Sequence, residues 1–373
     1  MSPNARLIGV PGGALRLVTP ALVIDLPALR ANLAEMNRRC AGAGMALRPH
    51  GKTHKCTALA REQVAAGAVG VCATTGREAI VYAEARIPGV LVTTPIVQRA
   101  HIEALASLHH EGADITLVFD TIENVDVWES VLGRTARPLR ALVDLDIGMG
   151  RTGAASPADA VAIARRLERS EELGYAGLQA YSGRVQHILD YRERRSTYGG
   201  QLDRLQETLA ALAAADLAPA VVSGGGTGTF AIDAERKIYT ESQAGSYCVM
   251  DVDYDAVELF PGEPNPYRFA LYLRSSVVSA NQPGYVSINA GFKSVSTDGP
   301  LPRVREGQWP GATYRFFGDE FGMMDGAAGC EVGDIVDLQT SHCDPTVNLH
   351  DFLHVVDGDT LLDIWPIDAR GTL

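Results

Sequence analysis

Lysine is almost missing from this chain. Of its 33 basic residues, four are lysine, at positions 52, 55, 237 and 293, and the other 29 are arginine. Arginine keeps its charge in any protein setting, whereas a lysine with a lowered pKa becomes a neutral amine that forms a Schiff base with an aldehyde. Positive charge is scarce as a whole. The formal net charge is −12 and no basic run occurs, which argues against nucleic acid or an anionic membrane surface as partner. No apolar run approaches the roughly 20 residues of a membrane span, and the first residues lack the charged start and apolar core of a signal peptide. Disulfide or zinc spacing is missing too: the six cysteines, at 40, 56, 72, 248, 330 and 343, show no CxxC pattern and fit free thiols in a reducing cytoplasm.

What is there begins with Leu47-Arg48-Pro49-His50-Gly51-Lys52-Thr53-His54-Lys55, which holds two of the four lysines beside two histidines and an arginine. A length of 373 residues accommodates one large α/β barrel of about 250 residues plus a smaller domain. After a first helical stretch from Pro27 to about Arg39, eight short apolar runs alternate with helical patterns. They are Met45–Arg48, Val69–Thr74, Val90–Thr93, Ile115–Phe119, Leu139–Asp144, Gly177–Tyr181, Ala218–Ser223 and Glu241–Met250. Eight βα units predict a (β/α)8 TIM barrel over residues 19–261. Beyond Pro261 the texture changes to alternating segments such as Tyr285–Asn289 and Ile335–Leu338, separated by Gly and Pro. Residues 262–373, with 1–18 a candidate addition, are expected to form a mostly antiparallel β domain.

In such a barrel the ends of the strands and the loops after them carry the chemistry. Lys52 follows the first strand, Arg151 the fifth, and Tyr181 ends the sixth ahead of Gln186 and His187. The run Ser223-Gly224-Gly225-Gly226-Thr227-Gly228-Thr229 follows the seventh, and residues without a Cβ let backbone N–H groups approach an anion closely. A Schiff-base lysine with a phosphate cradle points to pyridoxal 5′-phosphate, an aldehyde carrying a phosphate.

The sequence also resembles a known family. Arg48 to Lys55, the opening Thr19 to Asp25, the Gly148 to Gly153 run, the Ser223 to Gly226 run and Ser341-His342-Cys343-Asp344-Pro345-Thr346-Val347-Asn348-Leu349 are together similar to the D-threonine aldolase and D-serine dehydratase group. That group belongs to the alanine-racemase-like, fold-type III pyridoxal-phosphate enzymes, and the resemblance spans nearly the whole chain. It implies that Lys52 is the Schiff-base lysine and Lys55 is not. It places Arg151 at the cofactor's phenolic oxygen and Tyr181 beside its ring. Ser223, Gly224, Gly225, Gly226, Thr227, Gly245, Ser246 and Tyr247 become the phosphate-binding set. Phe321 stands where the group usually has histidine, so no polar role carries over there.

His342 and Asp344 are expected to converge from an extended strand while Cys343 turns away. An imidazole and a carboxylate form a hard pair suited to manganese, magnesium or calcium. By resemblance the aldolase branch carries this His-x-Asp pattern and the dehydratase branch His-x-Cys. The expected activity is therefore metal-dependent cleavage of a D-β-hydroxy-α-amino acid to glycine and an aldehyde, with His187 or metal-held water as base. Arg184 lies between Tyr181 and His187 in sequence; it either takes a second substrate carboxylate or pairs with Asp190 or Glu193. A dehydratase that eliminates the same hydroxyl as water and a noncatalytic pyridoxal-phosphate carrier are the alternatives. The resemblance also implies a homodimer in which one subunit's β domain closes over its partner's barrel, so that the metal pair acts in trans.

Overall fold

The structure is a computed structural model describing residues 2–371. In chain order it forms β1 (Ala21–Asp25), α1 (Leu26–Ala43), β2 (Ala46–Leu47), α2 (Thr57–Ala65), β3 (Val71–Ala73), α3 (Gly76–Glu84), β4 (Val90–Val92), α4 (Arg99–His110) and β5 (Ile115–Phe119). There follow α5 (Ile122–Leu132), β6 (Leu139–Leu145), α6 (Pro157–Glu168), β7 (Leu173–Ala180), α7 (Tyr191–Ala214), β8 (Val221–Gly224), α8 (Phe230–Arg236), β9 (Glu241–Ser242) and α9 (Val252–Asp255). The remainder is β10 (Leu271–Gln282), β11 (Tyr285–Ile288), β12 (Arg303–Val304), β13 (Thr313–Phe316), β14 (Gly322–Asp325), β15 (Ile335–Gln339), α10 (Cys343–Asn348), β16 (Phe352–Asp357) and β17 (Thr360–Pro366).

Local chemistry starts most of the barrel helices. Asp25 accepts from the Ala28 N–H to cap α1, and Thr75, Thr121, Ser156 and Asp190 do the same for α3, α5, α6 and α7. Such caps satisfy N–H groups that the helix itself leaves unpaired. Gly44 ends α1 in the left-handed region, at φ +69°, which costs glycine little.

The parallel sheet runs β2-β9-β8-β7-β6-β5-β4-β3. It closes where the Val69 N–H donates to the Leu47 carbonyl and the Cys72 N–H to the Pro49 carbonyl, both at 2.9 Å. A buried ion pair spans β2 and β9, with Arg48 Nε 3.0 Å from Glu241 Oε2 and Nη2 2.6 Å from Oε1. The barrel and the antiparallel second domain expected from the sequence are both present.

Three differences bear on the site. The eighth strand is only Glu241–Ser242; the chain then runs through a single 3-10 turn, Ser246–Cys248. The β1 strand belongs to the second sheet, antiparallel to β10 and parallel to β16, so a barrel start at residue 19 cuts across that sheet and the first barrel element is α1. The His342 to Asp344 segment is not a strand. His342 is extended and precedes α10, whose first turn contains Asp344 and Pro345. Proline is tolerated in a first turn because its missing N–H has no helical partner there.

Candidate active site

Lys52 sits on the 3-10 turn Gly51–Thr53 directly after β2. The turn is pinned from both sides: the Lys52 N–H donates to His50 Nδ1 at 3.4 Å, and the Tyr82 hydroxyl donates to the Gly51 carbonyl at 3.0 Å. A Cβ on Gly51 would come within 2.5 Å of that tyrosine oxygen, so only glycine fits. The Lys52 side chain keeps 39% of its surface accessible at the barrel mouth, and its Nζ pairs with Asp344 Oδ2 from α10. Burial opposes the lysine's charge, but the Asp344 carboxylate outweighs it and the amine is pushed up to about 12. Asp344 is held at about 2, burial being overcome by Lys52 and then His342. Lys55 is spoken for: its Nζ lies 2.6 Å from Glu78 Oε1, and both side chains are largely buried.

The Asp344–Lys52 contact lies within one chain. The metal pair expected to act in trans therefore reaches the lysine of its own barrel. Asp344 Oδ1 is buried without a hydrogen-bond partner among the described residues. His342 donates from Nδ1 to Asp298 Oδ2 at 2.7 Å, which leaves Nε2 as its lone-pair nitrogen. Burial disfavours charge on this imidazole, yet Asp344, Asp298 and Asp251 together raise its pKa. An unpartnered carboxylate oxygen and an oriented imidazole fit two positions of a hard divalent cation. Among the described residues no group of three or more His, Cys, Asp or Glu side chains has metal spacing, so water and substrate would complete the shell.

His187 Nδ1 lies 2.8 Å from Asp253 Oδ2, off the alignment of a good hydrogen bond, and its ring packs 4.4 Å from that of Tyr254. Burial lowers its pKa and Asp253 only partly restores it, so the imidazole is neutral at neutral pH and can accept a proton. Asp251 ties this corner together, accepting from the Tyr254 N–H at 2.9 Å and the Cys343 N–H at 3.0 Å. Sequence reasoning missed Asp251, Asp253 and Asp298. The Asp-x-Asp pair directly after the last strand candidate was the one available signal; Asp298 had none.

Tyr181 follows β7 at the mouth, where burial raises its hydroxyl pKa and the Lys52 and Arg151 charges oppose the rise. Arg151 is exposed and makes no ion pair or hydrogen bond among the described residues. Its sequence-adjacent acids are committed elsewhere: Asp146 accepts from the Gly148, Met149 and Gly150 N–H groups, and Asp144 from Thr152 and Gln179. Arg184 is likewise exposed, while Asp190 caps α7 through the Glu193 N–H.

The glycine-rich turn follows β8 and is joined to the 246–248 turn where the Tyr247 N–H donates to Thr227 Oγ1 at 3.2 Å. Crowding selects its glycines. A Cβ on Gly224 would lie 1.9 Å from the Ala180 carbonyl oxygen, on Gly226 2.5 Å from Gln186 Oε1, and on Gly245 2.6 Å from Thr53 Oγ1. The Thr227 and Ser246 N–H groups donate to no protein acceptor among the described residues, as a phosphate cradle requires. Two members of the expected set contribute no hydroxyl to it. Ser223 points inward from β8, where its Oγ accepts from Gln243 Nε2 at 3.1 Å, and the Tyr247 ring is core, edge-on to Tyr267 at 5.8 Å.

An (β/α)8 barrel with a lysine and a phosphate-ready turn at its mouth, continued into an antiparallel β domain, is the plan of the fold-type III pyridoxal-phosphate enzymes. The chain belongs to the family described as "Alanine racemase, N-terminal domain", matched over residues 24–252, and residues 270–356 match the "Putative serine dehydratase domain". It is 37% identical over 367 residues to a D-threonine aldolase from an Arthrobacter species, covering 97% of this chain and 95% of that protein. It is 34% identical over 358 residues to a 3-hydroxy-D-aspartate aldolase of Paracoccus denitrificans, covering 95% and 92%. The crystal structure of D-threonine aldolase from Filomicrobium marinum superposes with a TM-score of 0.89 at 34% identity over 95% of this chain and 96% of that one. Relatives at this identity over nearly the full length make the chain an enzyme of their class, a carbon–carbon lyase.

Proposed function

We propose that the protein is a pyridoxal-phosphate- and divalent-metal-dependent aldolase that cleaves a D-β-hydroxy-α-amino acid, of the D-threonine or D-3-hydroxyaspartate type, into glycine and an aldehyde. It works in the cytoplasm as a homodimer, with manganese or magnesium as the metal. The observation that carries this reading is the contact of Asp344 with Lys52. It brings the amine whose place on the cofactor a substrate's α-amino group would take, and the donors that would hold its β-hydroxyl, within the span of one small molecule.

Lys52 would hold the cofactor by its aldehyde carbon, and the Thr227 and Ser246 N–H groups would receive the phosphate. Arg151 and Tyr181 would orient the ring. Bound there, pyridoxal phosphate supplies an electron sink for the charge left on Cα when Cα–Cβ breaks. A cation on His342 and Asp344 supplies Lewis acidity toward the β-hydroxyl. His187, neutral and backed by Asp253, accepts the hydroxyl proton, and removal of that proton drives the electron pair toward Cα. A carboxylate at 344, rather than the thiolate of the dehydratase branch, favours a hard cation and supports cleavage over elimination.

The test is a substrate panel on the purified holoenzyme with both product pairs measured. Aldehyde plus glycine is the expected outcome, and a keto acid plus ammonia would make the protein a dehydratase. Stripping the metal with a chelator is expected to stop cleavage and leave the cofactor's visible absorbance in place.

A further inference from the structure

Beneath the glycine-rich turn lies a carboxyl group that cleavage does not use. Asp233, on α8, is 2% exposed, and its Oδ2 sits where a Cβ on Gly225 would come within 2.3 Å. A dianionic phosphate above the turn and a carboxylate directly below it would repel each other across a dry interior.

The hydrogen bonds around this carboxyl have a fixed direction. Thr229 Oγ1 accepts from the Gly226 N–H at 3.0 Å and from Gln186 Nε2 at 3.2 Å, so its own proton goes to Asp233 Oδ2 at 2.8 Å. Tyr198 is the other polar side chain bearing on the carboxyl. The Tyr239 hydroxyl donates to the Ala180 carbonyl at 3.1 Å, so at its 3.0 Å contact with Tyr198 it is the acceptor. The Tyr198 proton is thereby committed to Tyr239, and Tyr198 has none to give to Asp233. Asp233 Oδ1, buried and with no acceptor role to fill, is the atom left to carry a proton.

We propose that Asp233 is a positioning residue that works as a neutral carboxylic acid, holding the Gly225–Thr229 turn through Thr229 and keeping its proton when phosphate binds. The proposal rests on the reading of this turn as the cofactor's phosphate site. No cation among the described residues offsets the carboxyl, since Arg236 pairs with Asp203 and Arg195 with Glu235. The titratable groups facing it are Tyr191 and Tyr198 from α7 and Tyr239 from the segment before β9. Burial, opposed first by the Thr229 hydrogen bond, lifts the carboxyl to about 7, so phosphate needs to tip the balance only slightly. A bound dianion raises that value further. Affinity for the phosphate is then full below the free-state pKa and declines as pH rises between the free and bound values.

The experiment compares equilibrium binding of pyridoxal 5′-phosphate and of pyridoxal to wild type and Asp233→Asn above about pH 7, where the ester phosphate, with a second pKa near 6, is already dianionic. Dividing one affinity by the other removes the pH dependence of the Lys52 imine. In wild type the ratio is expected to fall with pH, by at most about tenfold per unit; in Asp233→Asn it should stay flat. A phosphate preference with the same slope in both proteins would overturn the proposal alone. Equal binding of the two aldehydes throughout would overturn the cradle and the proposal with it. Thermal unfolding gives an independent readout. Unfolded aspartate ionises near pH 3.9 and the buried acid near 7, so wild type loses stability across that window and Asp233→Asn does not. The Tm gap should therefore widen in the variant's favour as pH rises, and a variant that cannot fold would mean that a carboxylate is required, which overturns the proposal.

Discussion

Lys52→Arg is expected to abolish both activity and the cofactor's visible absorbance, because a guanidinium stays protonated and cannot form an imine. Lys55→Arg keeps the charge that Glu78 requires and should leave the absorbance in place; loss in that variant alone would reverse the assignment. The choice between two lysines three positions apart was not in their spacing. It is made by Glu78, which α3 brings to Lys55, and by Asp344, which the far end of the chain brings to Lys52. Arg184, exposed and without an ion pair among the described residues on the loop that carries His187, gives a specificity test. Arg184→Ala should cost D-3-hydroxyaspartate about 1.5–3 kcal/mol in kcat/KM, the worth of one charge-assisted contact, and leave D-threonine nearly unchanged. Equal losses would make it a loop support. His54 is read out by acid. Its Nε2 meets Gln63 and its Nδ1 accepts from the Cys56 N–H, and burial holds it at about 4. An unfolded imidazole protonates near 6.5, so as pH falls from there toward about 4 the unfolded state binds more protons and stability is lost. Denaturant titrations along that limb should flatten in His54→Asn.

At the level of elements, most strands of the barrel were legible because they are short apolar runs set between helical patterns. The last one was overcalled. The apolar residues after Ser242 serve the core from an irregular turn whose Gly245 and Ser246 are shaped by the facing glycine loop, a tertiary demand with no period. The α10 helix was misread as a strand for a related reason: six residues are too few to show a helical period, and the informative residue was Pro345, which fits a first helical turn. His109 and His110, at the end of α4, meet the Arg137 and Leu132 carbonyls through Nε2 at 3.0 and 2.9 Å. Asp251 joins α9 to α10, and losing an N-cap costs about 1 kcal/mol. Asp251→Ala should therefore lower the Tm and also weaken metal binding measured by titration, because both the Asp253 support of His187 and the placement of Asp344 depend on it. A lower Tm with unchanged metal affinity would confine Asp251 to stability.

For the whole molecule, the cis placement of Lys52 and Asp344 sets the outcome of subunit mixing. Combining Lys52→Ala with Asp344→Ala subunits should leave activity at the level of the separate variants, since no mixed assembly contains one complete site. Recovery of activity would show that the partner's β domain supplies the metal pair. The two-domain plan was readable from the switch in hydrophobic period near residue 261, while the joining of the domains was not, because strand pairing across the length of a chain leaves no local mark. Val23 pairs with Tyr272 on one side and His354 on the other. The barrel is thus an insertion within the β domain's sequence, tethered at both ends. During synthesis β1 emerges before both of its ladder partners, β10 and β16, so its sheet is completed only after the whole barrel has left the ribosome.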